Sequence, residues 1–88
     1  MTTLPTHQRL LLIYGSTHIP LEKAIADWMP HINEHTARRR AKTQTLPWPV
    51  INSEPSQKTS MFVSISAIAE WLDKQEDEAK KEWQKMNH

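Results

Sequence analysis

The chain of 88 residues contains no cysteine and only one glycine, Gly15. Without cysteine it has no disulfide framework, no thiolate nucleophile and no thiolate metal site. One glycine cannot build a glycine-rich phosphate-binding loop, which excludes the common nucleotide-binding motifs. The longest apolar run, residues 10–14, is far shorter than the roughly 18 apolar residues of a membrane span. It is also too short for the core of a secretory signal. These absences predict a protein of the reducing cytoplasm with no membrane partner.

Neither sign of charge predominates, since 11 Lys and Arg residues face 10 Asp and Glu residues and the net charge is +1. The distribution is more informative. Residues 34–42 hold four basic side chains and one acidic side chain, whereas residues 61–88 hold four basic and six acidic. A basic cluster on one element suits an anionic partner at one face, although a merely solvated helix face is the alternative. Eighty-eight residues make one domain with a modest core, a size that often gains stability by oligomerising.

Two helices around a short turn are predicted between residues 20 and 43. Pro20 suits the first position of a helix, and Pro30 ends it. The apolar residues of this helix recur at i, i+3, i+4 and i+7: Leu21, Ala24, Ile25 and Trp28. Asn33 is a plausible N-cap for the next helix. The pattern therefore predicts a helix-turn-helix over residues 20–43.

The second of these helices divides into a small-residue face and a basic face. Ala37 and Ala41 lie one turn apart and mark the inward side. At 100° per residue, the residues opposite them are His35, Arg39 and Lys42. Thr36, Arg38 and Thr43 flank that outward face, and Arg40 lies nearer its edge. A close-packed back and a front of long basic side chains are what a DNA recognition helix needs.

A two-stranded wing is predicted after this helix, over residues 48–64. The prolines of Leu46-Pro47-Trp48-Pro49-Val50 cannot continue a helix and favour an extended chain. Residues 50–51 and 62–63 can pair as two short antiparallel strands around a polar connector. In that connector Gln57 and Lys58 suit contact with a phosphate or the minor groove, and an ordinary solvated hairpin loop is the alternative. Trp48 is expected to pack where the wing meets the body.

The first twenty residues predict one short helix. Thr6 can cap a helix that runs to about Tyr14 and ends at Gly15 in the left-handed conformation. A strand over residues 10–13 stays open as an alternative, because a short apolar run is ambiguous. Residues 16–19 are expected to form a connector.

The last helix, residues 65–86 with Ser64 or Ser66 as its cap, carries an apolar stripe close to heptad spacing. The stripe comprises Ile65, Ile68, Leu72, Ala79, Trp83 and Met86. Its first half can cover the core, but its second half extends further than so small a domain needs. We expect it to form a dimer interface through Leu72, Ala79, Trp83 and Met86. The alternative is that this helix folds back over the N-terminal helix of the same chain.

No constellation of catalytic residues is visible. His31 and His35 are spaced like metal ligands on a helix, but His31 precedes the expected cap and no third ligand is obvious. Three adjacent acidic residues, 76–78, do not converge on one face. The sequence therefore predicts neither an enzyme, nor a metal site, nor a cofactor.

Six short segments, in this order, resemble the pyocin activator PrtN family of small phage-associated regulators. They are Ile19-Pro20-Leu21-Glu22, Leu46-Pro47-Trp48-Pro49-Val50, Ser56-Gln57-Lys58, Val63-Ser64-Ile65, residues 68–73 and Glu82-Trp83. The order of elements is more loosely similar to phage excisionases and Cox-type proteins. The family resemblance implies an activator that binds promoter DNA upstream of bacteriocin or prophage-type genes. Relatives commonly carry an arginine just after the Leu-Pro-x-Val stretch, whereas residues 51–53 here are Ile-Asn-Ser, which leaves promoter specificity open.

Together these features predict a mainly α (α+β) protein, a winged helix-turn-helix with an N-terminal helix over residues 6–14 and a long C-terminal helix. Its predicted function is sequence-specific binding of double-stranded promoter or operator DNA. It is expected to bind as a dimer or higher oligomer and to be associated with the nucleoid. RNA polymerase is a further candidate partner. The predicted DNA-contacting residues are Asn33, His35, Thr36, Arg38, Arg39, Arg40, Lys42, Gln57 and Lys58. One alternative is an excisionase-like factor that bends DNA. Another is an adaptor whose basic helix binds an acidic protein.

Overall fold

The computed structural model describes residues 4–52 and 61–87. Four helices and three strands lie in these ranges: α1 (Thr6–Tyr14), β1 (His18–Pro20), α2 (Leu21–Trp28), α3 (Glu34–Lys42), β2 (Val50–Asn52), β3 (Met61–Ser64) and α4 (Ile65–Met86). The protein is thus α+β with helices predominating and a long C-terminal helix, as predicted. Within the described ranges, no helix combines the length and apolar character needed to cross a membrane.

The sheet has three antiparallel strands in the order β1-β3-β2. The two expected wing strands, β2 and β3, pair with Val50 opposite Val63. The third strand was not foreseen: β1 pairs with the other edge of β3, placing Ile19 opposite Val63. The expectation of a plain connector over residues 16–19 was therefore wrong at His18 and Ile19. Three residues ending in proline are too short to show strand periodicity, so only the free edge of β3 makes them a strand.

Helix α1 has the predicted bounds but not the predicted cap. Gly15 adopts the left-handed conformation with φ 69°, and its N–H donates to the Leu11 carbonyl. The open choice between helix and strand over residues 10–13 is therefore decided in favour of helix. Thr6, however, does not cap the helix, since Pro5 occupies that position. Instead the Thr6 hydroxyl donates to Asp73 Oδ1 at 2.6 Å, which ties the start of α1 to α4.

Helix α2 begins directly after Pro20, which occupies the cap position rather than the first helical turn. Its apolar face buries Leu21, Ala24 and Ile25. Trp28 is half-buried, and its Nε1–H donates to the Tyr14 hydroxyl at 3.0 Å. The predicted stripe of α2 is therefore the face that packs on the body.

The core lies where the sheet meets α2 and the first half of α4. Trp48, predicted to pack at this junction, is only 1% exposed. Its ring makes an edge-to-face contact with Trp71 of α4, with ring centroids 5.5 Å apart. Val63, Ile65 and Ile68 are also fully buried. Trp48 thus joins the segment after α3 to the C-terminal helix.

Helix α4 has a buried half and an exposed half. Ser64 caps it by accepting from the Ser66 N–H at 3.1 Å, and Ile65 and Ile68 lie in the core. Every residue from 73 to 86 is exposed. The radius of gyration is 15.0 Å, against about 12 Å expected for a compact domain of this length. The first half of α4 packs against α1, whereas the second half projects from the body.

A polar network links α1 to α2. The Tyr14 hydroxyl donates to Asp27 Oδ2 at 2.6 Å while it accepts from Trp28. Burial, and then the hydrogen bond to the Asp27 carboxylate, raise the pKa of Tyr14 to about 12. A raised pKa means that the folded state holds the phenolic proton more tightly than the unfolded state does.

We expect replacement of Trp48 to destabilise the protein strongly. Trp48→Ala should lower the free energy of unfolding by about 3–5 kcal/mol, because it removes a fully buried aromatic side chain. Ile51→Ala, in the same segment but 45% exposed, should cost less than about 1 kcal/mol. Urea denaturation of the two variants measures both values. Equal losses would show that Trp48 is not a core residue.

The Tyr14 network predicts a pH effect. Tyr14 is the only tyrosine, so the ultraviolet absorbance of phenolate reports on it alone. Its titration midpoint should lie near pH 12, and Asp27→Asn should lower it. The stability that Tyr14 contributes should be complete below its unfolded pKa of about 10 and lost as the pH rises towards 12. A midpoint near 10 in the unaltered protein would rule out the network.

Candidate nucleic-acid interface

Helix α3 is held by a cap and by two small buried residues. The Asn33 side chain accepts a hydrogen bond from the Thr36 N–H at 2.7 Å, which satisfies a free donor of the first turn. Ala37 and Ala41 are buried. Because alanine has no long side chain, α3 lies close to the body, and its opposite face is left to solvent.

The outward face carries the residues that the periodicity indicates. His35, Arg39 and Lys42 are exposed. Thr36, Arg38 and Arg40 are half-buried at the flanks. The face is therefore basic and rich in hydrogen-bond donors, a chemistry that suits an anionic partner.

Two of the four cationic side chains bind groups of the protein itself. Arg38 Nη2 lies 2.9 Å from Glu34 Oε1, one turn earlier, and its Nε lies 3.1 Å from the same oxygen. Arg40 Nη2 donates to the Thr45 carbonyl at 2.6 Å. Among the described residues, Arg39 and Lys42 have no acidic side chain within ion-pair distance. The outward positive charge of α3 therefore rests chiefly on Arg39 and Lys42.

The end of α3 is fastened to strand β2 by Gln44, a residue that sequence reasoning missed. Gln44 adopts the left-handed conformation with φ 53°, and the Thr45 N–H donates to the Arg40 carbonyl at 2.9 Å. This is the closing turn usually made by glycine. The Gln44 amide also bonds both backbone groups of Val50, at 3.2 Å each. The sequence offered one signal of this role: Gln44 is a polar residue placed between α3 and the proline segment.

Of the remaining predicted DNA contacts, Asn33, Gln57 and Lys58, only Asn33 lies among the described residues. Asn33 serves as the cap of α3. Gln57 and Lys58, the predicted wing contacts, lie outside the described residues. The described part of the chain therefore brings together only the α3 residues of the predicted interface.

A cleft of about 350 Å³ lies between α2 and α3. Leu21, Ile25 and Ile32 supply much of its apolar lining, and Glu34 and Arg38 add charge. In the described ranges, no three His, Asp or Glu side chains are grouped so that they could hold a metal ion. The described ranges therefore combine a charged face on α3 with an apolar recess beside it.

The described chain is a small α+β protein with a basic helix turned outward. A family model described as pyocin activator protein PrtN matches residues 6–79. That match covers most of the chain, so the chain belongs to the PrtN family of regulatory activators. Comparisons with curated proteins and with solved structures gave no match. Because the family match ends at Ala79, Glu82 and Trp83 lie beyond it.

The cap of α3 predicts an effect on stability. Asn33→Ala should lower the free energy of unfolding by about 1 kcal/mol, because the Thr36 N–H loses its acceptor. Asn33→Asp keeps an acceptor at the same place and should retain the stability. Thermal or urea denaturation distinguishes the two variants. If both were equally destabilised, the side-chain cap would not be the cause.

Proposed function

We propose that this protein is a winged helix-turn-helix regulator that binds double-stranded promoter DNA in a sequence-specific manner and activates bacteriocin or prophage-type genes. Its membership of the PrtN family supports the regulatory role. The observation that carries the DNA-binding part is the outward basic face of α3, with Arg39 and Lys42 exposed at its centre.

The order of elements supports the docking mode. Helices α2 and α3 are joined by a short turn at residues 29–33, and the β2–β3 hairpin follows. In winged helix-turn-helix proteins the second helix of this pair enters the major groove. Placing α3 there turns its alanine face to the body and its basic face to the DNA. The turn at Gln44 fixes this helix against the sheet.

The side chains of α3 take different proposed roles. Arg39 and Lys42 contact phosphates or guanine edges, because long cationic donors suit both. His35, Thr36 and Asn33 offer hydrogen bonds near the start of the helix. Arg38 is oriented by Glu34, and Arg40 braces the following turn through Thr45. Arg38 and Arg40 therefore contribute more to the structure of α3 and its closing turn, and less to DNA contact, than Arg39 does.

Two further contacts are part of the proposal. Gln57 and Lys58 contact the minor groove or a phosphate from the wing, as their polar, donor-rich side chains suit. RNA polymerase is the proposed protein partner of the DNA-bound activator. Proteins that act on promoter DNA work at the nucleoid, so we propose a cytoplasmic, nucleoid-associated location.

The test is binding to random-sequence duplexes by fluorescence anisotropy at two salt concentrations, followed by sequence selection. We expect steep salt dependence and an enriched motif. If Arg39 contacts guanine, Arg39→Ala should weaken the free energy of DNA binding by about 1–3 kcal/mol and relax the sequence preference at one base pair. If Arg39 contacts a phosphate, the same variant should lower the slope of log affinity against log salt concentration by about one. Lys74→Ala, which removes an exposed cation from α4, is the matched control and should bind normally.

Three results would contradict the proposal. Unchanged affinity in Arg39→Ala would remove α3 from the DNA interface. A strong bend in gels with permuted sites would favour an excisionase-like factor. Micromolar or weaker binding with no enriched motif would favour an adaptor that uses the same basic face for an acidic protein.

A further inference from the structure

The projecting half of α4 is the largest part of the described chain that the body does not cover. Residues 73–86 are all exposed and span about 20 Å at 1.5 Å per residue. Trp83 is 65% exposed and Met86 is 81% exposed. Isolated helical segments of this length are marginal in water and usually depend on packing against an apolar face.

The apolar stripe of α4 continues from the core into this segment, interrupted after Leu72 by Gln75 and Glu76. Ile65 is fully buried, and Leu72, half-buried, lies seven residues further on the same face. Ala79 and Met86 follow at the same spacing, and Trp83 lies beside them. Seven residues make almost two helical turns, so these side chains form one line along the helix. The face that packs on the body is therefore presented to solvent beyond Asp73.

Charge along the same segment is polarised. Residues 70–78 carry five acidic side chains and one basic side chain. Residues 79–86 carry three basic and one acidic. Two copies of this helix placed parallel would set like charges side by side, whereas an antiparallel arrangement sets the acidic half of each against the basic half of the other.

We infer that two copies of this chain associate through antiparallel α4 helices, with the two-fold axis at Ala79. Ala79 lies midway between Leu72 and Met86, so pairing about it sets Leu72 of each copy opposite Met86 of the other. The small alanine lets the helices approach closely at the axis. The arrangement is closed and self-complementary, as a two-fold dimer requires. It also covers both exposed Trp83 side chains.

Ion pairs within the helix do not compete strongly with this association. Glu76 and Lys80 lie 3.5 Å apart, and Asp77 and Lys81 lie 3.2 Å apart. All four side chains are more than 60% exposed, and ion pairs at such positions contribute little. The inference also stands apart from the proposed DNA binding, because the association needs no DNA. The tip of α4 lies beyond the family match.

Sedimentation equilibrium of the full chain without DNA tests the association. We expect a dimer, and we expect Trp83→Glu to raise its dissociation constant at least about tenfold, since buried tryptophans commonly dominate interfaces. Gln84→Glu adds the same charge at the next residue but off the stripe, and it should leave the dimer intact. Circular dichroism checks that both variants are folded, as expected for exposed positions. A monomeric wild-type chain, or equal weakening by both variants, would overturn the inference.

Crosslinking tests the orientation, and the absence of cysteine makes it simple. Antiparallel pairing predicts that Met86→Cys forms little disulfide with itself but forms one readily when mixed with Leu72→Cys. Ala79→Cys lies at the axis and should link to itself. Efficient self-linking of Met86→Cys, without the mixed product, would show a parallel pair and overturn the antiparallel arrangement.

Discussion

Burial of Trp48 is the constraint on which the rest of the structure depends. It lies between two prolines in a bent segment that leads into β2, and its ring packs against Trp71 of α4. That contact fixes the chain directly after α3 to the C-terminal helix. Gln44 then binds the backbone of Val50, two residues beyond Trp48. The position of the basic helix is thus set by a buried ring on the segment that follows it.

Helix α3 itself contributes little to the core, and this suits it for binding. Ala37 and Ala41 are its only buried residues, so almost all of its long side chains are available outside. Arg38 and Arg40 are directed by acceptors within the protein, whereas Arg39 and Lys42 extend from the surface. The helix therefore combines a buried alanine base with exposed cations, an arrangement that favours contact with a charged polymer.

Helix α4 packs in the core with its first half and exposes an apolar stripe with its second half. Its first half supplies Ile65 and Ile68 to the core. Its second half carries the same stripe into solvent, where a second copy can cover it. A two-fold dimer built on this helix would relate the two α3 helices by the same axis, and such symmetry matches palindromic DNA sites. The length of α4 would then set the distance between the two basic α3 faces in the dimer.

The sequence by itself determined the local features of this protein. Periodicity placed α2, α3 and α4 close to their observed bounds, and the Asn33 cap and the inward Ala37 and Ala41 followed from rules that act within a few residues. Contacts between distant residues could not be foreseen in this way. Strand β1 exists because β3 offers it an edge, and the Thr6 hydroxyl binds Asp73, 67 residues away, instead of capping its helix. Only the tertiary structure decided these features, because their partners meet only when the chain has folded.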